Sequence, residues 1–300
     1  MDTNNLAMPH YPRYFDGNYS INQFNTSFPE RRIKPFLKWP GGKRWIAGTL
    51  ASTIVPRLKN RYYEPFLGGG AVFFSLCPKE ATLSDINVDL INVYKLIQNK
   101  SEEIIEGLKI LPVNKEIYYF IRINEPEDPI ERAIRFLYLN RTAFGGIYRL
   151  NLMGKFNVPY GGGNRTPEVL WRNGLINNAA RILQGKELLV SDFEEILNKS
   201  GAGDVVYCDP TYTTSQNNCF IRYNERNFSW NDQKRLAASA MNACKRGAYI
   251  LVSNACFEGF YDLYKPFTPQ VLTRKSLVSR ISESRRYVTE YLFELDPESI

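Results

Sequence analysis

Four consecutive residues, Asp209-Pro210-Thr211-Tyr212, offer the most specific chemistry in this 300-residue sequence. They follow Val205-Val206-Tyr207-Cys208, an apolar run that reads as a buried strand. A carboxylate at Asp209, a backbone carbonyl at Pro210 and a flat ring at Tyr212 can hold a planar amino group and stack on the ring that bears it. An exocyclic amino nitrogen such as that of adenine is a poor nucleophile, because its lone pair is delocalised into the ring. Two acceptors on its hydrogens draw the nitrogen toward a tetrahedral state and free the lone pair for an electrophilic carbon. That is electrostatic stabilisation of developing charge. The plainer reading of the same residues is an Asp-Pro that only turns the chain after a strand.

A second constellation lies upstream. Phe66-Leu67-Gly68-Gly69-Gly70 follows the strand read over Arg61–Phe66 and opens a helix at Ala71. Glycine lets a ligand approach the backbone, and a helix start adds N–H donors. Asp85 ends the next strand, Ala81–Asp85, where an acid can accept hydrogen bonds from ribose hydroxyls. This pattern points to an adenosine-containing ligand. Taken alone it fits a nicotinamide cofactor as well as S-adenosylmethionine.

Composition narrows the chemistry. The chain holds one histidine, His10, so Ser-His-Asp, Cys-His and multi-histidine metal sites are excluded as expectations. The five cysteines, Cys77, Cys208, Cys219, Cys244 and Cys256, show no metal-ligand spacing and read as reduced thiols of a cytoplasmic protein. No metal is expected. No apolar run reaches the ~18 residues that suggest a membrane span, and no secretory pattern opens the chain. The net charge is +7. Between Arg141 and Lys186 seven basic residues face Glu168 alone, and a second basic cluster holds Arg274, Lys275, Arg280, Arg285 and Arg286. Such local excess suits a polyanionic partner or, more simply, a solvated surface.

These residues need elements to position them. Residues 1–34, rich in Asn, Tyr, Pro and Ser, read as an extension of uncertain order. From Pro35 strand and helix alternate. Asn87 can cap a helix through Leu90, Tyr94 and Ile97, and Ile130–Leu139 has helical spacing. Arg141–Arg165, rich in Gly and Asn with interleaved aromatics and bases, reads as loops and hairpins. Alternation resumes with strand Glu187–Ser191, helix Trp230–Lys245, strand Ala248–Ser253 and a closing strand Arg286–Leu295. The pattern predicts an α/β fold with a largely parallel central sheet and helices on both faces. Residues 35–87 and 176–300 form its main domain, and 88–175 a smaller inserted one.

In order and spacing the sequence resembles the Dam-like family of adenine-specific DNA methyltransferases over about Pro35 to Leu295. Phe36-Leu37-Lys38-Trp39-Pro40-Gly41-Gly42-Lys43, Glu64–Gly70 and Leu83-Ser84-Asp85-Ile86-Asn87 resemble its cofactor motifs. Phe136–Arg141, Phe144-Gly145-Gly146, Tyr148-Arg149 and Phe156-Asn157-Val158-Pro159-Tyr160-Gly161 resemble its DNA-reading region, and Val206–Pro210 the start of its catalytic motif. The resemblance implies a Rossmann-like methyltransferase fold with an inserted target-recognition domain. It implies that Trp39, Lys43, Phe66, Gly68, Asp85, Asp192, Phe193 and Asp209 line an S-adenosylmethionine site. It implies that Asp209, Pro210 and Tyr212 hold a flipped adenine, and that Lys38, Arg141, Phe144, Arg149, Lys155 and Pro159 bind double-stranded DNA. Arg149 would read a neighbouring guanine, as in a GATC-like site, Phe144 would wedge the duplex, and Arg141, Lys155 and Arg165 suit phosphates. A bacterial or phage-infected cytoplasm is the implied setting, with a cognate restriction endonuclease system as an optional partner. One departure stands out: Thr211 occupies the place of the family's second proline, restoring a backbone donor and loosening φ. Competing readings are a methyltransferase for RNA or a protein amide, a DNA-binding protein without catalysis, and a nicotinamide oxidoreductase.

Overall fold

The computed structural model describes residues 14–15, 33–151, 153–163, 165–171, 174–212, 228–275 and 287–299. His10, Cys219, most of the 1–34 extension, and Arg172, Arg280, Arg285 and Arg286 of the basic clusters lie outside the described residues. In chain order the strands are β1 (Tyr14–Phe15), β2 (Tyr62–Glu64), β3 (Ala81–Asp85), β4 (Glu187–Val190), β5 (Val205–Cys208), β6 (Tyr249–Ala255), β7 (Gln270–Lys275) and β8 (Tyr287–Leu295). The helices are α1 (Ala47–Ile54), α2 (Ala71–Leu76), α3 (Val88–Lys109), α4 (Lys115–Ile123), α5 (Pro129–Thr142), α6 (Leu175–Leu183), α7 (Phe193–Lys199), α8 (Trp230–Lys245) and α9 (Glu258–Leu263). Two compact units result, one from Phe28 to Val206, the other comprising β1 and the chain from Tyr207 onward.

In the Phe28–Val206 unit the strands pair in parallel, in the order β4-β3-β2-β5. Tyr62 lies opposite Ala81, and Asp85 opposite Val190, so β2, β3 and β4 finish at one edge. The residues of β2 and most of β3 are buried, as strands covered on both faces require. Helix α3 starts where Asn87 Oδ1 accepts the Leu90 N–H at 3.0 Å, and α5 where Asp128 caps Ile130 and Glu131 ahead of Pro129. Helix α3 packs on α5 and α6. Phe36 meets Phe74 and Tyr94 edge-on at 6.0 and 5.0 Å, and each fully buried ring of this kind contributes about 1.5–3 kcal/mol.

In the second unit β8 runs antiparallel to both β6 and β7, and β1 adds to β7 in parallel, Tyr14 opposite Val271. A capping box starts α8: Ser229 Oγ accepts the Asp232 N–H while Asp232 accepts the Ser229 N–H at 2.9 Å. Phe293, Tyr264 and Phe260 anchor its core, Tyr264 stacking on Phe293 at 4.4 Å.

The alternation of parallel strands and helices is that of a Rossmann-like α/β fold. Strand Ala81–Asp85 and helix Trp230–Lys245 have the bounds expected, and the other expected strands and helices are present with ends shifted by a few residues. Strands β7 and β1 were not foreseen, and the antiparallel β6-β8-β7 set qualifies the parallel expectation. Among the described residues no helix is long and apolar enough to cross a membrane.

Candidate functional site

The parallel register of β2, β3 and β4 delivers three chain segments to one sheet edge. After β2, Gly68 (φ +46°) and Gly70 (φ +64°) turn the chain into α2. After β3, Asp85 accepts the Gly68 N–H through Oδ2 and the Asn87 N–H through Oδ1, each at 3.0 Å. A carboxylate has about four acceptor directions, and these backbone N–H groups do not use them all. Burial pushes the Asp85 carboxyl above the usual carboxylate range, against the backbone N–H groups of Gly68, Asn87 and Ile86, which pull it down. After β4, Asp192 caps α7 by accepting the Glu194 N–H at 3.0 Å, and Phe193 stacks on Phe66 with centroids 5.5 Å apart.

Trp39 closes over this turn. A Cβ on Gly68 would lie 2.8 Å from the indole Cδ1 and Nε1, and one on Gly69 would lie 2.9 Å from Trp39 Cβ. Below the turn the Tyr94 hydroxyl donates to the Gly68 carbonyl at 3.1 Å. The structure therefore gathers Trp39, Phe66, Gly68, Asp85, Asp192 and Phe193 around a ring-lined, acid-flanked glycine turn. Lys43 sits in the same loop as Trp39 but is only 3% exposed, its ammonium donating to Gly41 O at 3.3 Å. Glu64 was not singled out beforehand. Its buried carboxylate accepts the Tyr62 hydroxyl at 2.7 Å and the Phe73 N–H at 3.1 Å, tying β2 to α2 beneath the turn.

The segment after α5 is a set of short bridged turns. Ala143 bridges Tyr160, and Leu150 bridges Phe156. The Phe144 N–H donates to Pro159 O at 2.9 Å, holding a residue that is 44% exposed. Arg149 Nε donates to Asn157 Oδ1 at 2.8 Å, which fixes the guanidinium plane of an exposed side chain. Lys155 and Pro159 are exposed on the same hairpin. Tyr148 stacks on Phe136 at 4.7 Å and on Trp39 at 5.3 Å.

Cations gather beside it. Lys38 and Asn140 exchange hydrogen bonds, Lys38 N–H to Asn140 Oδ1 at 3.0 Å and Asn140 Nδ2 to Lys38 O at 2.7 Å. This seats Lys38 across Gly146, where an added Cβ would run into the Lys38 side chain. Arg165 Nη1 donates to the Arg141 carbonyl at 2.9 Å. Burial, then the charges of Arg165, Arg141 and Arg44, pushes the Lys38 ammonium below its ordinary value. Burial and Arg44 pull Arg141 down to about 10, and its Nε is buried without a partner among the described residues. No described carboxylate forms an ion pair with Lys38, Arg141 or Arg165, so this cluster favours an anionic ligand.

In the other unit Asp209 and Pro210 follow β5, Asp209 partly exposed and Pro210 buried. The Tyr212 hydroxyl donates to Glu290 Oε2 at 2.8 Å. Gln233 Nε2 reaches the Thr211 carbonyl at 3.5 Å, and Asn254 Nδ2 donates to Gln233 Oε1 at 2.9 Å. Glu290, Gln233 and Asn254 are at most 2% exposed, and sequence reasoning passed over all three. The available signal for Glu290 was parity: it shares a strand face with Leu292, where an acid is out of place. Burial, then Asp209 and Glu290, pushes the Tyr212 phenol well above its ordinary value, so it stays a neutral donor.

A family model described as D12 class N6 adenine-specific DNA methyltransferase matches residues 39–279. The chain is 32% identical over 271 residues to the type II methyltransferase M1.LlaDCHI of Lactococcus lactis subsp. cremoris, covering 87% of this chain and 94% of that protein. It is 34% identical over 278 residues to the type II methyltransferase M.MjaIII of Methanocaldococcus jannaschii, covering 85% and 96%. It is 30% identical over 269 residues to the DNA adenine methylase of Escherichia coli strain K12, covering 87% and 95%.

Proposed function

This chain belongs to the D12 class of N6 adenine-specific DNA methyltransferases, and we propose from that premise that it uses S-adenosylmethionine to methylate an adenine flipped out of a short, GATC-like duplex site. The observation that carries the reading is the Asp209-Pro210-Thr211-Tyr212 segment after β5, with Tyr212 fixed at its hydroxyl by Glu290.

The glycine turn fits the cofactor. Gly68 admits close approach, Asp85 keeps an acceptor direction for a ribose hydroxyl, and Phe66 with Phe193 offers an apolar wall for an adenine beside Asp192. When bound, S-adenosylmethionine supplies an electrophilic methyl carbon. The chain's own residues prepare the nucleophile. Asp209 and the Pro210 carbonyl each accept one amino hydrogen, the Tyr212 ring stacks on the base, and the carboxylate faces the positive charge that grows on the nitrogen. The nitrogen sheds one of its hydrogens to solvent as the methyl–sulfur bond gives way to the methyl–nitrogen bond.

Residues 88–175 act in this account as an inserted target-recognition domain. Arg149 presents its guanidinium fork to guanine O6 and N7 while its Nε stays on Asn157. The ring of Phe144, an exposed residue held by Pro159, fills the gap left by the departing base. Lys38, Arg141, Arg165 and Lys155 take phosphates, which neutralise the cation cluster and fix register. The setting is the cytoplasm of a bacterial or phage-infected cell, and a cognate endonuclease system fits the type II relatives.

The test is Asp209→Ala, with folding checked by circular dichroism and with duplex DNA and RNA offered in competition. The account expects transfer to duplex DNA alone and a loss of about 10²–10³ in kcat, as for removal of one pre-set polar group at a reacting centre. Full activity in the variant, or preference for RNA, contradicts it.

A further inference from the structure

We propose that Glu290 is a positioning residue that sets the plane of the Tyr212 ring through the hydrogen bond between them. The inference rests on the reading of Tyr212 as the platform for the base.

Glu290 sits in β8 between two partners, opposite Ala255 of β6 and Leu272 of β7. Its backbone is therefore held from both sides. Its side chain is 2% exposed on the same face as Leu292. A carboxylate in such a place is costly unless it is hydrogen-bonded. Packing alone favours an apolar residue there, so the acid calls for a use. The Tyr212 hydroxyl meets it at 2.8 Å. Donation to a carboxylate is about twice as strong as a bond between neutral groups, and it is directional.

The consequence for the ring follows from its few degrees of freedom. A tyrosine attached at Cβ and anchored at its hydroxyl cannot swing, and because a phenolic hydrogen prefers the ring plane, a bond of fixed direction to Glu290 also favours one rotation of the ring about its long axis. The phenol keeps its proton because burial and the charges of Asp209 and Glu290 oppose ionisation, and the donor persists across the working pH. The backbone just before the ring is steadied too. Gln233 sits in the first turn of α8 behind the Ser229 cap, takes an amide hydrogen from Asn254, and aims its own at Thr211 O. Thr211 stands where a second proline would stiffen the loop. Buried side chains from β6, α8 and β8 supply that stiffness here.

The full-length wild type, Glu290→Ala, Glu290→Gln and Tyr212→Phe are compared in methyl transfer to plasmid DNA, with folding checked by circular dichroism. Glu290→Ala is expected to lower kcat by about tenfold or more, since a misplaced reacting group has costs of that order. Its KM for S-adenosylmethionine stays within about twofold, whereas a general loss of structure moves both. Glu290→Gln, whose amide oxygen still accepts, keeps kcat within about threefold, and Tyr212→Phe combined with Glu290→Ala adds little to either change alone, because the two residues share one interaction. Wild-type kcat in Glu290→Ala, or equal loss in the Ala and Gln variants, overturns the proposal. Should Glu290→Ala unfold, Tyr212→Phe decides, because it removes the same bond from the other side, and an unchanged kcat there overturns the proposal. A wild type that transfers no methyl group overturns the base-platform reading and this role together. An active wild type with an active Glu290→Ala overturns this role alone.

Discussion

Trp39 lies against Tyr148 with ring centroids 5.3 Å apart and planes 18° from parallel, while the same indole covers Gly68 and Gly69. One side chain thus touches the glycine turn assigned to the cofactor and the residue next to Arg149. Replacing Trp39 by Ala is expected to weaken S-adenosylhomocysteine binding by about tenfold and, as this account expects the two ligands to couple through Trp39, to lower that coupling equally as measured from either ligand. Calorimetry with each ligand, alone and in the presence of the other, measures both. A variant that loses cofactor affinity with the coupling intact contradicts this role.

Gly68→Ala tests the turn itself. The residue has φ +46°, and an added Cβ would sit 2.8 Å from the Trp39 ring. Strain and displacement of the indole should cost more than about 1 kcal/mol of stability. Urea unfolding reads the stability, and cofactor affinity should fall in the folded fraction. A variant as stable as the wild type would show that the turn relaxes freely.

Arg149 and Lys155 separate reading from holding. Arg149→Ala should lose about 1–3 kcal/mol of discrimination at one guanine, with other positions unchanged. Arg149→Lys should not restore it, because an ammonium lacks the planar fork. Lys155→Ala should weaken all duplexes alike and lower the salt slope of binding by about 1. Binding to a panel of single-base variants at several salt concentrations distinguishes the two patterns.

In the proposed cofactor site Asp85 is expected to give a pH dependence. Its carboxyl lies above the ordinary 3.8 because burial disfavours the charge. As pH falls through that raised value the carboxylate takes a proton and a ribose acceptor is lost. Affinity for S-adenosylhomocysteine should therefore be full above it and begin to decline at a higher pH than an exposed carboxylate would give. Asp85→Asn should bind weakly, with a flat profile over the same range. Titration calorimetry across acidic pH checks the sign.

Much of the frame was legible because it rests on local rules. The strand read over Ala81–Asp85 has the bounds of β3, and Asn87 announced α3 by its side chain alone. The glycine turn, Asp85 and the Phe66–Phe193 pair come together because parallel strands in register end at one edge. What escaped was what sheet neighbours decide. Gln270–Lys275 is polar at both ends and becomes a strand by pairing with β8. Tyr14–Phe15 is too short to show a period and is a strand only through β7. Glu290 and Gln233 are polar residues whose burial is decided by the packing of β8 and α8 and not by their own types.

The central claim is best tested by methyl transfer from labelled S-adenosylmethionine to unmethylated plasmid DNA, with single-molecule sequencing of the product. The account predicts N6-methyladenine confined to one short motif with a guanine beside the target, and transfer by Asp209→Ala lowered about 10²–10³-fold. A protein that binds both DNA and cofactor yet incorporates no methyl group would contradict it, and Thr211→Pro would then show whether that one residue silences the site.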